Sequence, residues 1–113
     1  MNITNEGHIT VFSWEKNDPK GIDFKNLVKG AYKNVSNQNI IIDLSLRAPL
    51  FPKNILEFTE LSAYHKTVAK KSFVLVVGHL PLEDLQDEIA VTPTLGEAKD
   101  LVEMEEIERD LGY

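Results

Sequence analysis

Two runs of consecutive apolar residues dominate the hydrophobic pattern of the chain. Residues 39–45 contain Ile40, Ile41 and Ile42 in succession, and residues 72–77 form the second run. Consecutive rather than alternating apolar residues are typical of a strand that is covered on both faces. The roughly thirty residues between the runs leave room for a helical crossover. We therefore predict two neighbouring parallel strands at the centre of a sheet, with the first as the central strand.

The N-terminal third predicts a hairpin followed by a helix. Residues 8–14 alternate in the manner of a strand, and Gly7 supplies the turn that joins them to a shorter first strand. After a loop over 15–21, one apolar stripe at helical spacing predicts a helix, with Asp23 placed to cap its first turn. The stripe consists of Phe24, Leu27, Val28, Ala31 and Tyr32.

Two prolines and a second apolar stripe define the connection between the two runs. Pro49 and Pro52 exclude regular structure after the first run, and Pro52 suits the first turn of a helix. The broad face of that helix is formed by Ile55, Phe58, Leu61, Ser62, His65, Val68 and Ala69. His65 lies beside the stripe, so we interpret it as a packing histidine rather than a metal ligand.

The last third completes an α/β pattern. Residues 82–86 predict a helical turn, and 90–92 predict a short last strand. Thr94 and Glu97 form a capping box that opens a final helix. This order of elements predicts a single α/β domain over residues 1–113, with a mixed sheet, an N-terminal hairpin, central parallel strands and flanking helices.

Composition narrows the classes of function. The chain has 113 residues, 42% of them hydrophobic, which is sufficient for one core. It has no cysteine, which excludes disulfides and thiolate metal sites and suits a cytoplasmic protein. No apolar stretch approaches the roughly 20 residues that a membrane span needs. A net charge of -6 argues against direct nucleic-acid binding and favours a partner protein with a basic surface.

The final helix changes its apolar face half-way along. At about 100° per residue, the apolar residues of its first half lie nearly opposite those of its second half. The first set is Leu95, Ala98, Leu101 and Val102, and the second set is Met104, Ile107 and Leu111. A straight helix cannot pack both sets on one sheet. Either the helix bends or ends near Glu103, or the second set contacts another molecule, such as another protein or a second copy of the chain.

Negative charge accumulates at the same end of the chain. The acidic residues are Glu103, Glu105, Glu106, Glu108 and Asp110. The helix dipole disfavours each exposed carboxylate there by about 0.3 to 1 kcal/mol, and only Arg109 offsets them. We therefore predict that residues 103–113 bind a partner, although a solvated tail that aids solubility is the alternative. The predicted surface combines Met104, Ile107 and Leu111 as apolar anchors with Glu105, Glu106 and Glu108 as charges that steer a basic partner.

Other candidate sites are weaker. Ser45, Arg47 and His79 should meet at the carboxyl ends of the two central strands, where open α/β sheets bind ligands. They would form a pocket for a small anion, but no glycine-rich phosphate loop follows either strand, so ordinary loop positions are the favoured interpretation. Trp14 is expected to pack in the core or at its rim. Because no nucleophile, carboxylate pair or metal cluster is evident, we expect no catalysis, no cofactor and no metal.

The order of elements, together with residues 40–45, 73–77 and 94–98, resembles the STAS domain of bacterial anti-sigma-factor antagonists and sulfate-transporter tails. The resemblance implies regulation through protein–protein contacts. Antagonists of that family carry an Asp-Ser-Ser-Gly turn at the start of the helix after the central strand, and its serine is phosphorylated. The corresponding residues 50–54 are Leu-Phe-Pro-Lys-Asn, without a hydroxyl group. We therefore expect that this phosphorylation switch is absent.

Residues 71–76 and 92–113 resemble short Bacteroidetes proteins that are sometimes labelled ribonuclease Z. That nuclease binds zinc through a clustered His-x-His-x-Asp-His motif, whereas His8, His65 and His79 belong to three separate elements here. The resemblance thus implies family membership without the reaction. The sequence favours a non-catalytic interaction module. The alternatives are an accessory subunit of an RNA-processing metallo-hydrolase, a protein that binds a small ligand at the strand ends, and a small-molecule enzyme at that place.

Overall fold

A five-stranded mixed sheet organises the computed structural model, which describes residues 1–81 and 89–112. The strands are β1 (Asn2–Glu6), β2 (Ile9–Ser13), β3 (Asn39–Asp43), β4 (Phe73–Val76) and β5 (Val91–Thr92). They lie side by side in chain order, with β1 antiparallel to β2 and every later pair parallel. The isoleucine run therefore forms the central strand, as its pattern predicts.

Helices cover both faces of this sheet. They are α1 (Ile22–Tyr32), α2 (Pro52–Leu56), α3 (Thr59–Thr67) and α4 (Leu95–Asp110). Successive residues of a strand point to opposite faces, so Ile40 and Ile42 pack toward α1 and α2, whereas Ile41 packs against α4. The β2–β3 and β3–β4 connections are both parallel crossovers that advance in the same direction across the sheet. Because such crossovers have the same handedness, α1 and α2 lie on the same face. The result is one compact α/β domain with a Cα radius of gyration of 13.0 Å.

The N-terminal hairpin is confirmed. Glu6 pairs with Ile9, so Gly7 and His8 form a two-residue turn. Gly7 has a φ of 61°, a left-handed conformation that glycine adopts at little cost. Trp14 follows β2, packs in the core and donates from Nε1 to the Pro19 carbonyl at 3.0 Å. The hairpin therefore supplies β2 to the sheet and anchors the loop that leads to α1.

Two helix predictions require correction. The single helix expected from Pro52 to Ala69 is interrupted at Phe58, whose φ of -92° and ψ of 2° are not helical. Pro52 does begin α2, as predicted. Asp23 does not cap α1, because the N-cap residue is Gly21 with a φ of 65° and no side chain caps this helix. The interruption turns the Phe58 ring into the core against Phe73, with 6.4 Å between the ring centroids.

The C-terminal elements follow the prediction where the structure describes them. The short strand predicted at 90–92 is β5, and the Thr94 hydroxyl accepts a hydrogen bond from the Glu97 backbone at 3.2 Å, which caps α4. The helical turn predicted at 82–86 lies outside the described residues. Within the described residues, no helix has the length and apolar character that crossing a membrane would require.

Candidate functional site

Helix α4 runs without interruption from Leu95 to Asp110, so of the two alternatives that the sequence leaves open, an end near Glu103 is excluded. Ala98 and Val102 in its first half are fully buried against the sheet. The apolar residues of its second half point away from the sheet. Met104, Ile107 and Leu111 expose 56%, 60% and 66% of their surface, and we call these three residues the outer stripe. The change of apolar face that the sequence shows is therefore real and leaves the outer stripe uncovered.

The inner face of the second half of α4 is polar, which explains why the stripe points outward. Arg109 lies over the starts of β3 and β4, where Asn39 begins β3, Ser72 directly precedes β4, and both are fully buried. Its Nη2 donates to Asn39 Oδ1 at 3.1 Å, and its Nη1 donates to Ser72 Oγ at 3.1 Å. A buried polar group left without a partner is costly, so these bonds stabilise this rotation of the helix.

Two carboxylates complete this arrangement. Glu105 accepts from Ser72 Oγ at 2.5 Å, and Glu106 accepts from Asn39 Nδ2. Asn39 Oδ1 also accepts from the Ser72 backbone N–H at 2.9 Å. We call Asn39, Ser72, Glu105, Glu106 and Arg109 the strand-start network. Because it joins β3, β4 and α4, it fixes the helix end to the sheet.

The network also changes which charges are free to face a partner. Glu105 and Glu106 are predicted from their positions to steer a partner, yet both lie half-buried inside the network. Of the predicted trio, only Glu108 is exposed. The exposed carboxylates that flank the outer stripe are Asp100, Glu103, Glu108 and Asp110, and we call them the acidic rim. Both basic residues of α4 are engaged elsewhere, since Lys99 pairs with Glu6 at 2.6 Å and Arg109 belongs to the network. The outer face of α4 therefore combines apolar surface with negative charge.

The partners in the strand-start network cannot be identified from the sequence, although one signal of the network is present there. At about 100° per residue, Glu105, Glu106 and Arg109 all lie within about 80° of Ala98, the residue at the centre of the inner face. That count places three charged residues against the sheet. It could not name Asn39 and Ser72 as their partners, because only the β3–β4 register brings these two residues together.

The predicted pocket of Ser45, Arg47 and His79 is brought together only in part. Ser45 and Gly78 are neighbours, since a Cβ added at Gly78 would lie 3.8 Å from Ser45 Cα, so the two strand ends adjoin as expected. Ser45 and His79 are exposed, but Arg47 is buried, so its guanidinium offers little surface to a ligand. Burial lowers the pKa of Arg47, and the carboxylate of Glu57 opposes that change.

His65 is the packing histidine that the sequence indicates. It is fully buried, and both ring nitrogens are bonded. The Gln38 carbonyl can only accept, so Nε2 donates to it at 2.7 Å, and Nδ1 then accepts from the Tyr32 hydroxyl at 2.6 Å. His8 lies in the turn before β2, His65 in α3 and His79 after β4, and no cluster of potential metal ligands occurs among residues 1–81 and 89–112.

No protein-family model matches the chain. No curated protein matches it either. The function of the outer face of α4 must therefore be inferred from its own residues.

Proposed function

We propose that the protein is a non-catalytic interaction module that binds a partner protein with the outer face of α4. The observation that carries this proposal is the outer stripe on a helix whose opposite face is fixed to the sheet by the strand-start network. Met104, Ile107 and Leu111 follow the i, i+3, i+7 spacing with which a helix binds in an apolar groove. Contiguous exposed apolar side chains with a polar rim are typical of binding sites.

The charge of this face specifies the kind of partner. The acidic rim surrounds the outer stripe and has no ion-pair partner among the described residues. Complementary charge raises the association rate and excludes partners of the same sign. The partner that fits is therefore a protein with an apolar groove bordered by lysine or arginine. The lack of cysteine is consistent with action in the cytoplasm.

The proposed role also includes a STAS-like fold without the phosphorylation switch. The mixed sheet with its N-terminal hairpin, central parallel strands and capped last helix supports the first part. For the second part, α2 begins at Pro52 with Phe51 at the N-cap position, so no hydroxyl stands at the start of this helix. Binding would then depend on partner availability rather than on serine phosphorylation at that position.

A second candidate is a special case of the first. The resemblance of residues 92–113 to short proteins labelled ribonuclease Z favours an RNA-processing metallo-hydrolase as the partner. The chain would then be an accessory subunit that contributes contact surface and no metal ligand. The outer stripe belongs to those residues, so the same surface would make the contact.

Capture by the immobilised full-length protein tests the proposal. The wild type is expected to capture partner proteins from a lysate of its source organism. We expect the double variant Met104→Lys/Ile107→Lys to capture at least about ten times less of the same proteins. Burial of each large apolar side chain contributes about 1.5 to 3 kcal/mol, and 1.4 kcal/mol corresponds to a factor of ten. The variant should remain folded, because exposed substitutions usually change stability by no more than about 0.5 kcal/mol.

The matched control is Leu46→Lys, which places the same charge on a leucine that is 78% exposed after β3. This control should capture as the wild type does, and equal capture by the double variant would end the proposal. Deletion of residues 103–113 is a poorer test. It would remove Glu105, Glu106 and Arg109 from the strand-start network, so that a lost surface and a damaged fold would look alike.

A further inference from the structure

A groove between α1 and α3 has the chemistry that complements the outer face of α4. Its volume is about 860 Å³. Its apolar lining is formed by Tyr32, Leu61, Tyr64, Val68 and Ala69. Tyr64 and Val68 are more than half exposed, so this lining is accessible to another molecule. The groove therefore offers apolar surface to a helix that carries apolar side chains.

Lysines border this groove on the α1 side. Lys25, Lys29 and Lys33 recur every four residues and all line it, and we call them the lysine row. Within the part of the chain that the structure describes, none of the three lies within 4.0 Å of a carboxylate oxygen. Lys71 also lines the groove, and the acidic residues that line it are Glu57 and Glu60. The groove thus carries a net positive charge whose largest part is an unpaired row on one side.

We propose that this groove binds the outer face of α4 from a second copy of the chain. The inference rests on the proposed function, because it names the partner of the same face. Dimensions and charges agree. The lysine row extends about 12 Å along α1 at 1.5 Å per residue, and Glu103 and Asp110 on one side of the outer stripe are about 10.5 Å apart on the same count. The outer stripe then meets the apolar lining while the acidic rim meets the lysine row.

This contact must join different copies. Helix α1 packs on one face of the sheet and α4 packs on the other, so a chain cannot place its own α4 in its own groove. Each copy keeps one free groove or one free α4 face after the first contact forms. A head-to-tail contact of this kind builds rings or open chains of copies, rather than a pair that uses the same patch twice.

Sedimentation velocity over a wide range of protein concentration tests this inference with charge-reversed variants. The groove variant is Lys25→Glu/Lys29→Glu/Lys33→Glu, and the face variant is Glu103→Lys/Glu108→Lys/Asp110→Lys. We expect the wild type to associate as its concentration rises, and less so at high salt. Each variant alone should associate at least about tenfold more weakly, because its groove and its α4 face then carry charges of the same sign.

An equimolar mixture of the two variants should associate again. In the mixture, the acidic α4 face of the groove variant meets the intact lysine row of the face variant. The lysine-substituted α4 face of the face variant likewise meets the glutamate-substituted groove of the groove variant, so both contacts join opposite charges. Recovery would show in addition that both variants are folded. Association that requires both surfaces and recovers in the mixture supports the inference.

Three results would overturn it: a wild type that is monomeric at every concentration, a groove variant that associates as the wild type does, or a mixture that stays dissociated. If the wild type is monomeric, the ligand of the groove would instead be an acidic peptide of another protein or a small anion. It would not remove the proposed function, which depends on capture of other proteins through Met104 and Ile107. Retained capture by Met104→Lys/Ile107→Lys would instead remove the α4 face itself as a binding site.

Discussion

Replacing Asn39 by alanine is expected to lower the free energy of unfolding by about 3 kcal/mol. The amide of Asn39 is fully buried at the start of β3 and bonds to four groups at once. These are the His8 carbonyl, the Ser72 backbone N–H, Glu106 and Arg109. Alanine would leave the buried Ser72 N–H without its partner and would remove the bonds to Glu106 and Arg109, whereas the His8 carbonyl would keep its bond from the residue 39 backbone N–H. A loss of this size is a large fraction of the 5 to 15 kcal/mol that typically stabilises a domain.

Urea unfolding monitored by circular dichroism measures this effect. Asn34→Ala is the matched control, because Asn34 is exposed in the turn after α1 and should change stability by no more than about 0.5 kcal/mol. Asn39→Asp should not restore stability, since it places a carboxylate beside Glu106. If Asn39→Ala costs less than about 1 kcal/mol, the strand-start network does not hold α4 on the sheet in the way described.

Acidification below about pH 6.5 is expected to destabilise the protein through His65. Burial lowers the pKa of His65, the hydrogen bond to the Gln38 carbonyl opposes this, and the charges of Lys71 and Arg109 lower the pKa further. The folded state therefore binds a proton to this ring less readily than the unfolded chain does. The stability that neutral His65 contributes is fully present above its unfolded pKa of about 6.5, and it is lost as the pH falls from there through the lower folded pKa.

Chemical denaturation at a series of pH values measures this contribution. A single proton can change the free energy of unfolding by up to about 1.4 kcal/mol per pH unit within that window. In His65→Leu the slope below pH 6.5 should decrease, while the exposed His8 and His79 remain in both proteins. Identical slopes for the two proteins would mean that His65 does not titrate differently in the folded and unfolded states.

The sheet could be predicted from the sequence because its signals are local. Ile40, Ile41 and Ile42 in succession indicate burial on both faces, and the structure leaves none of them exposed. The capping role of Thr94 also follows from residues three positions apart. The interruption between α2 and α3 could not be predicted, because it depends on how Phe58 packs against Phe73, and that contact is set by the tertiary fold.

The candidate site shows the same limit. The reversal of apolar faces along α4 is visible in the helical spacing of Met104 and Ile107, so the exposed outer stripe could be anticipated as one of two outcomes. The partners of the inner face could not, because Asn39 and Ser72 are 33 positions apart in the chain. The four-residue spacing of the lysine row is likewise visible in the sequence, but the groove beside it exists only once α3 packs next to α1.

The most direct test of the outer stripe as a binding surface uses the lack of native cysteine. The alkylation rate of Ile107→Cys would be compared with that of Leu46→Cys in the free and in the bound protein. Dilute protein gives the free state. The bound state is reached either at a concentration where copies associate or by adding a captured partner. We predict similar rates at both positions in dilute protein, and at least about a tenfold slower reaction only at position 107 when the partner is bound. Slow alkylation at position 107 in the free protein, or an unchanged rate in the complex, would contradict the central claim.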